Sequence, residues 1–181
     1  MKSKTKKTAP LRFRGGWEYA PAPESSDHVR LQPAYDLFID GRFVAPSGGK
    51  YFDTLNPATE KKIASVAEAE AADVDKAVRA ARKAFQGSWG KMPANERGKY
   101  IFRIARMIQE RARELAVVES MDGGKPIRES RDIDVPLAAA HFFYYAGWAD
   151  KLSFALPGAQ ARPIGVAGQI IPWNFPLLMA A

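Results

Sequence analysis

The chain has 181 residues, the size of about one domain, and its hydrophobic fraction of 46% and charged fraction of 26% are those of an ordinary folded protein, which excludes wholesale disorder as the default reading. Six of the seven net positive charges come from Lys2, Lys4, Lys6, Lys7, Arg12 and Arg14, with no acid in that stretch. The basic balance is therefore a local arm and not a nucleic-acid surface spread over the fold. The absence of cysteine excludes disulfides, thiolate metal sites and a thiol nucleophile within these residues.

In chain order, residues 1–34 read as a solvated, disordered basic arm followed by an extended lead-in rich in Pro and Ser. No apolar stretch follows the lysines, so the arm is not a secretory signal. Pro10 and Gly15-Gly16 spoil the amphipathic helix of a mitochondrial presequence, and a cytoplasmic setting is expected. From Tyr35 the pattern changes. Asp40-Gly41 between Tyr35-Asp36-Leu37-Phe38-Ile39 and Arg42-Phe43-Val44 predicts a hairpin, because both turn positions need positive φ. A second turn at Ser47-Gly48-Gly49 leads to a strand over 51–57, and Ile63 to Ala67 gives another, completing an antiparallel ribbon.

Helices follow. Asp73 is placed to cap one whose apolar face carries Val74, Val78, Ala81 and Phe85, ending at Gly87. A longer helix opens near Pro93, a residue suited to the first helical position. Its stripe of Ile101, Ile104, Ile108, Ala112, Leu115 and Val118 has the 3.6-residue period. Gly123-Gly124 and Pro126 stop it. These glycines follow a helix, so Asp122 to Pro126 reads as a helix stop and not a phosphate loop. Ile133 to Lys151 forms a further helix, whose cluster of Phe142, Phe143, Tyr144, Tyr145 and Trp148 suits core packing or a subunit contact. No basic residues interleave it to make a base-stacking platform. His28 and His141 stand apart from each other and from carboxylates at ligand spacing, which argues against a metal site.

After a short connection over 152–162, the last nineteen residues carry no charge. A membrane span needs about twenty such residues, but Pro163, Pro172 and Pro176 interrupt this run. Ile164 to Ile171 instead predicts a strand apolar on both faces, as in the centre of a parallel sheet. A turn through Pro172-Trp173-Asn174-Phe175-Pro176 then leads into a helix, the junction at which α/β proteins place ligands. Asn174 has two readings here, a helix N-cap or a ligand contact. Five residues of helix are far fewer than the ~12–15 that are marginal alone, and the apolar end predicts that the chain is a portion of a larger protein.

The stretch GQIIPWNFPLLMAA resembles the junction signature of the NAD(P)-dependent aldehyde dehydrogenase superfamily. Weaker blocks agree in order: Phe38-Ile39-Asp40-Gly41, Asn56-Pro57-Ala58-Thr59, Pro93 to Arg97, Asp122 to Pro126, and Tyr145 to Ala149. The resemblance covers 35–181 and implies an α/β fold. The part present would be the N-terminal ribbon, the helical layer and the first central strand of a Rossmann-like, dinucleotide-binding domain, incomplete at its C-terminal end. It implies oxidation of an aldehyde to an acid through a cysteine thioester, with NAD or NADP as cofactor, in a homo-oligomer with no specific nucleic-acid or membrane partner. Asn174 matches the residue whose side-chain amide stabilises the oxyanion. Ile171, Pro172, Trp173 and Asn174 match positions lining the dinucleotide; no metal is implied. The family's cysteine, glutamate base and ribose-contacting lysine lie downstream of the motif, so this chain alone is expected to be inactive. The connection over 152–162 is shorter than the hairpin of many members, which bears on oligomeric geometry. Two rival readings are a non-catalytic assembly partner of a full-length subunit and a polyanion-binding protein that uses the basic arm.

Overall fold

The computed structural model describes Ser26 and residues 29–181; most of the basic arm and lead-in, and His28, lie outside the described residues. The first elements are short strands: β1 (Ala34–Tyr35), β2 (Leu37–Ile39), β3 (Arg42–Val44), β4 (Tyr51–Asn56) and β5 (Lys61–Ala67). The hairpin forms as its sequence requires. Phe38 pairs with Phe43 across β2 and β3, and both turn residues are left-handed, Asp40 at φ 52° and Gly41 at φ 76°. The wholly antiparallel ribbon needs correction. The hairpin is a separate two-stranded sheet, and β1 adds to β5 in parallel beside the antiparallel β4–β5 pair. Two residues carry no readable alternation, so sequence periodicity gives no sign of β1.

Helix α1 (Ala71–Gln86) starts one turn earlier than Asp73 as a cap would require. Glu70 is the N-cap, and Asp73 sits at the third helical position, where its Oδ2 accepts the Glu70 N–H at 3.2 Å. The same carboxylate accepts the Ser47 N–H at 2.9 Å, the Ser47 hydroxyl, and Lys76 Nζ at 3.1 Å. A buried acid (1% exposed) thus ties the turn after the hairpin to the helix start. These bonds, led by the Ser47 hydroxyl, hold its pKa well below the usual carboxylate range. A depressed pKa gives stability that is present above the ordinary value of about 4 and lost as pH falls below it. Asp73→Ala leaves several donors unpaired; it lowers the thermal midpoint by about 5 °C or more and removes that acid-sensitive component, as calorimetry at about pH 3 and about pH 7 will show.

After α2 (Ser88–Lys91), the expected single long helix is two: α3 (Ala94–Glu110), with Pro93 as N-cap, and α4 (Ala112–Gly123). Arg111 breaks the run at φ −106°, ψ 16°, and its guanidinium grips Glu114 at 2.9 and 2.7 Å. The buried face also differs from the expected stripe. Gly98, Ala105 and Ile108 are buried on α3, whereas Ile104 is 42% exposed. Small residues win because α6 (Val135–Trp148) crosses closely; a Cβ on Gly98 would stand 3.0 Å from the Ala146 carbonyl oxygen. Helix α4 does end at the two glycines, with Gly124 left-handed at φ 70° against the ring of Pro57.

Between α4 and α6 lie α5 (Ile127–Glu129) and one π-helical turn, Ser130–Asp134. The core gathers Ile108, Ala116, Val135 and Ala139, with Phe142, Phe143 and Leu177 packed against it. Phe102 and Phe143 meet edge to face at 4.9 Å, while Tyr144 and Tyr145 remain exposed. Beyond α7 (Leu152–Ala155) the chain has no helix or strand until α8 (Pro176–Ala180). The strand expected over Ile164 to Ile171 does not form a ladder. A strand exists by pairing its N–H and C=O groups with neighbours, and the sheets of the described residues contain no partner for it. Its Ile164 and Ile170 side chains are fully exposed. The fold is nevertheless a mixed helix-and-strand one with a small sheet, as the sequence implied.

Candidate active site

The site forms where α8 docks on α6, which brings the turn before α8 beside the end of α4. Leu177 enters the core, which fixes the first turn of α8 and holds the preceding turn, Trp173 to Phe175, over the Gly123-Gly124 stop. A recess of about 270 Å³ opens there, lined on one side by Trp173, Asn174 and Phe175 and on the other by Glu119, Lys125 and Glu129. Trp173 is 86% exposed and Asn174 is exposed beside it. Ile171 and Pro172 lead into the turn, exposed, without lining the recess. The N-cap of α8 is Phe175 and not Asn174. Freed from capping, the Asn174 side chain is available to a ligand.

Sequence reasoning missed three residues beneath the turn. Lys125 Nζ pairs with the buried Asp134 carboxylate and donates to the backbone carbonyl of Asn174 at 3.1 Å. It also lies 3.7 Å from the centre of the Phe175 ring, within the range of a cation–π contact. Asp134 is carried inward by the π turn, a helical irregularity common at functional sites. Beside it, Glu119 is buried, and burial first, then a hydrogen bond to Asp134 and its negative charge, push the Glu119 carboxyl up to about 7, against the pull of Lys125. Both Glu119 oxygens and Asp134 Oδ1 have no hydrogen-bond partner as ionised groups. A proton on one Glu119 oxygen, donated to Asp134 Oδ1, pairs two of these three atoms, in keeping with an acid pair in one site that does not ionise fully. The readable signal was Lys125 immediately after the glycine stop; the two acids look like ordinary helical carboxylates.

A profile of the aldehyde dehydrogenase family matches residues 43–181. The chain belongs to the aldehyde dehydrogenase family. It is 43% identical over 180 residues to the mitochondrial benzaldehyde dehydrogenase of Antirrhinum majus, covering 92% of this chain and 34% of that protein. With the mitochondrial aldehyde dehydrogenase family 2 member B4 of Arabidopsis thaliana it shares 48% over 154 residues, 80% of this chain and 29% of that one. Among solved structures, the NAD+ complex of a Bacillus cereus aldehyde dehydrogenase superposes with a TM-score of 0.75 at 40% identity, covering 84% of this chain and 34% of that one. The chain thus spans about a third of the length of these aldehyde dehydrogenases. Among the described residues no helix is long and apolar enough to cross a membrane.

Proposed function

We propose that this chain supplies the oxyanion-binding half of an aldehyde dehydrogenase active site, in a protein that oxidises an aldehyde to a carboxylic acid with NAD or NADP. The observation that carries the reading is Asn174: an uncharged amide, exposed at the mouth of the recess, on a turn that is anchored from below through its own carbonyl. In the reaction a cysteine thiolate from outside these residues adds to the aldehyde carbon. The electron pair that moves to oxygen is met by the Asn174 side-chain N–H, a preorganised neutral donor that needs no reorientation as charge develops. Bound NAD(P)+ supplies the hydride acceptor, and hydrolysis of the thioester releases the acid.

The residues toward the cofactor fit its apolar part. Ile171 (39% exposed) and, in the turn, Trp173 (86% exposed) offer uncharged surface, suited with Pro172 and Asn174 to ring and main-chain contacts. Residues 163–181 contain no charged side chain to meet a pyrophosphate, so that charge is assigned to other parts of the protein. The same proposal includes the cytoplasm as location and a homo-oligomeric assembly. Purified chain incubated with NAD or NADP and a panel of aldehydes is expected to give no rise in absorbance at the reduced-cofactor band. A rise that scales with chain concentration would show that the nucleophile is not a cysteine.

A second reading is favoured by one observation, the open apolar face of α1, where Val74 is 54% and Val78 37% exposed. In this reading the chain is a non-catalytic partner of a full-length aldehyde dehydrogenase subunit. Co-expression with such a subunit distinguishes them: a stoichiometric hetero-complex supports the partner role, and separate elution removes it.

A further inference from the structure

We propose that Lys125 is a positioning residue that clamps the Asn174–Phe175 turn and so aims the Asn174 amide; this rests on the oxyanion role proposed for Asn174. An ammonium group has three N–H donors. One is directed to Asp134, one to the Asn174 carbonyl oxygen at 3.1 Å, and the group stands 3.7 Å from the centre of the Phe175 ring. Its side chain is only 13% exposed and that of Asp134 1%. With its donors and its open face spent inside the protein, Lys125 is poorly placed to bind substrate or phosphate. It is instead well placed to fix two consecutive residues of a turn that carries no regular hydrogen-bonded structure of its own.

The anchoring is built from long-range parts. Lys125 follows the glycine stop of α4, Asp134 comes from the π turn nine residues on, and Asn174 lies a further forty residues along. Glu119, one helical turn before the stop, is buried beside the same acid. A charge-assisted bond to a backbone carbonyl restrains ψ of Asn174 directly, so the loss of the cation frees the residue that bears the amide while the core, held by Ile108, Val135 and Leu177, stays packed.

Hydrogen exchange of this chain tests the clamp without turnover. The hydrogen-bonded amides of Met179 in α8, paired with the Phe175 carbonyl at 2.9 Å, and of Ala181 at its C-cap, paired with that of Leu177 at 3.1 Å, report opening of the turn. Lys125→Met is expected to speed their exchange about tenfold to thirtyfold while Ser65, bonded to Pro33 in the sheet, is unchanged. Lys125→Arg keeps the charge and stacks on the ring, and restores protection to within about threefold. Phe175→Leu removes only the ring and gives a smaller increase. Unchanged exchange at Met179 and Ala181 overturns the clamp, as does equal loosening at Ser65, or failure of Lys125→Arg to rescue. In a complete dehydrogenase carrying this segment, Lys125→Met lowers kcat about tenfold with KM little moved; an unchanged kcat overturns the clamp. A fully active Asn174→Ala enzyme with the exchange pattern intact would instead remove the oxyanion reading and leave the clamp standing.

Discussion

In a complete dehydrogenase carrying this segment, Asn174→Ala lowers kcat about 10²–10³-fold, the usual cost of deleting one oxyanion-hole donor, with a much smaller effect on KM for the aldehyde. The asymmetry follows from when the bond matters. A ground-state carbonyl oxygen carries little charge and is held well by water, whereas the tetrahedral adduct places a full negative charge where the amide points; interactions that exist only with the latter act on kcat. Asn174→Asp keeps the shape and replaces the donor by a carboxylate, so its loss is larger than that of alanine. The position of Asn174 just before the N-cap of α8, exposed at the recess, is what makes a local role of this kind available to it. Steady-state kinetics of the two variants check it: equal losses in kcat and in binding would assign Asn174 to ground-state recognition instead.

The second large effect concerns stability and not rate. Glu119→Gln flattens the pH dependence of unfolding between about pH 4.5 and 7 and stabilises the chain at about pH 8 by about 1–3 kcal/mol, since a tenfold difference in proton affinity between folded and unfolded chain is worth about 1.4 kcal/mol. The folded-state pKa of Glu119 is raised, from the ordinary 4.5 to about 7, by burial and by Asp134. A raised value means that the folded state holds the proton more tightly. The associated stability is fully present below the unfolded value and is lost as pH rises through the folded one. Glutamine carries no charge to lose, and its amide can donate to Asp134 as the protonated acid does. The acid-sensitive contribution of Asp73 has the opposite sign and acts below about pH 4, outside this window. Urea titrations of both proteins at about pH 5 and about pH 8 measure the difference; parallel curves would mean that Glu119 is ionised in the fold at neutral pH.

What could be read from the chain divides by the range of the interactions involved. Asp40-Gly41 and Gly124 were legible because a positive φ is a local demand that few residues meet. The start of α1 was placed within one turn, since Asp73 does serve it, as the third residue and not as the cap. The break at Arg111 was illegible, since Gln109-Glu110-Arg111-Ala112 contains no glycine or proline and all four residues suit a helix. Hydrophobic periodicity named Ile104 as core, but the close crossing at Gly98 turned the smaller Ala105 inward instead. The segment from Ile164 to Ile171 has the composition of a central strand, yet composition supplies no ladder partner. At the site, the motif from Pro172 to Pro176 announced itself by its uncharged, proline-bracketed pattern. Its support did not, because Glu119, Lys125 and Asp134 meet Asn174 only through the glycine stop and the π turn, neither of which changes the pattern of charge along the sequence.

Asn174 as oxyanion donor requires a nucleophile that lies outside these residues, since they contain no cysteine. The measurement that tests this division most directly is the nucleotide sequence read through codon 181. The expected result is an open frame that goes on to encode a lysine, a glutamate and a cysteine in a continuing dehydrogenase sequence. A stop at that point would contradict it and leave the chain as a protein without the chemistry of its family.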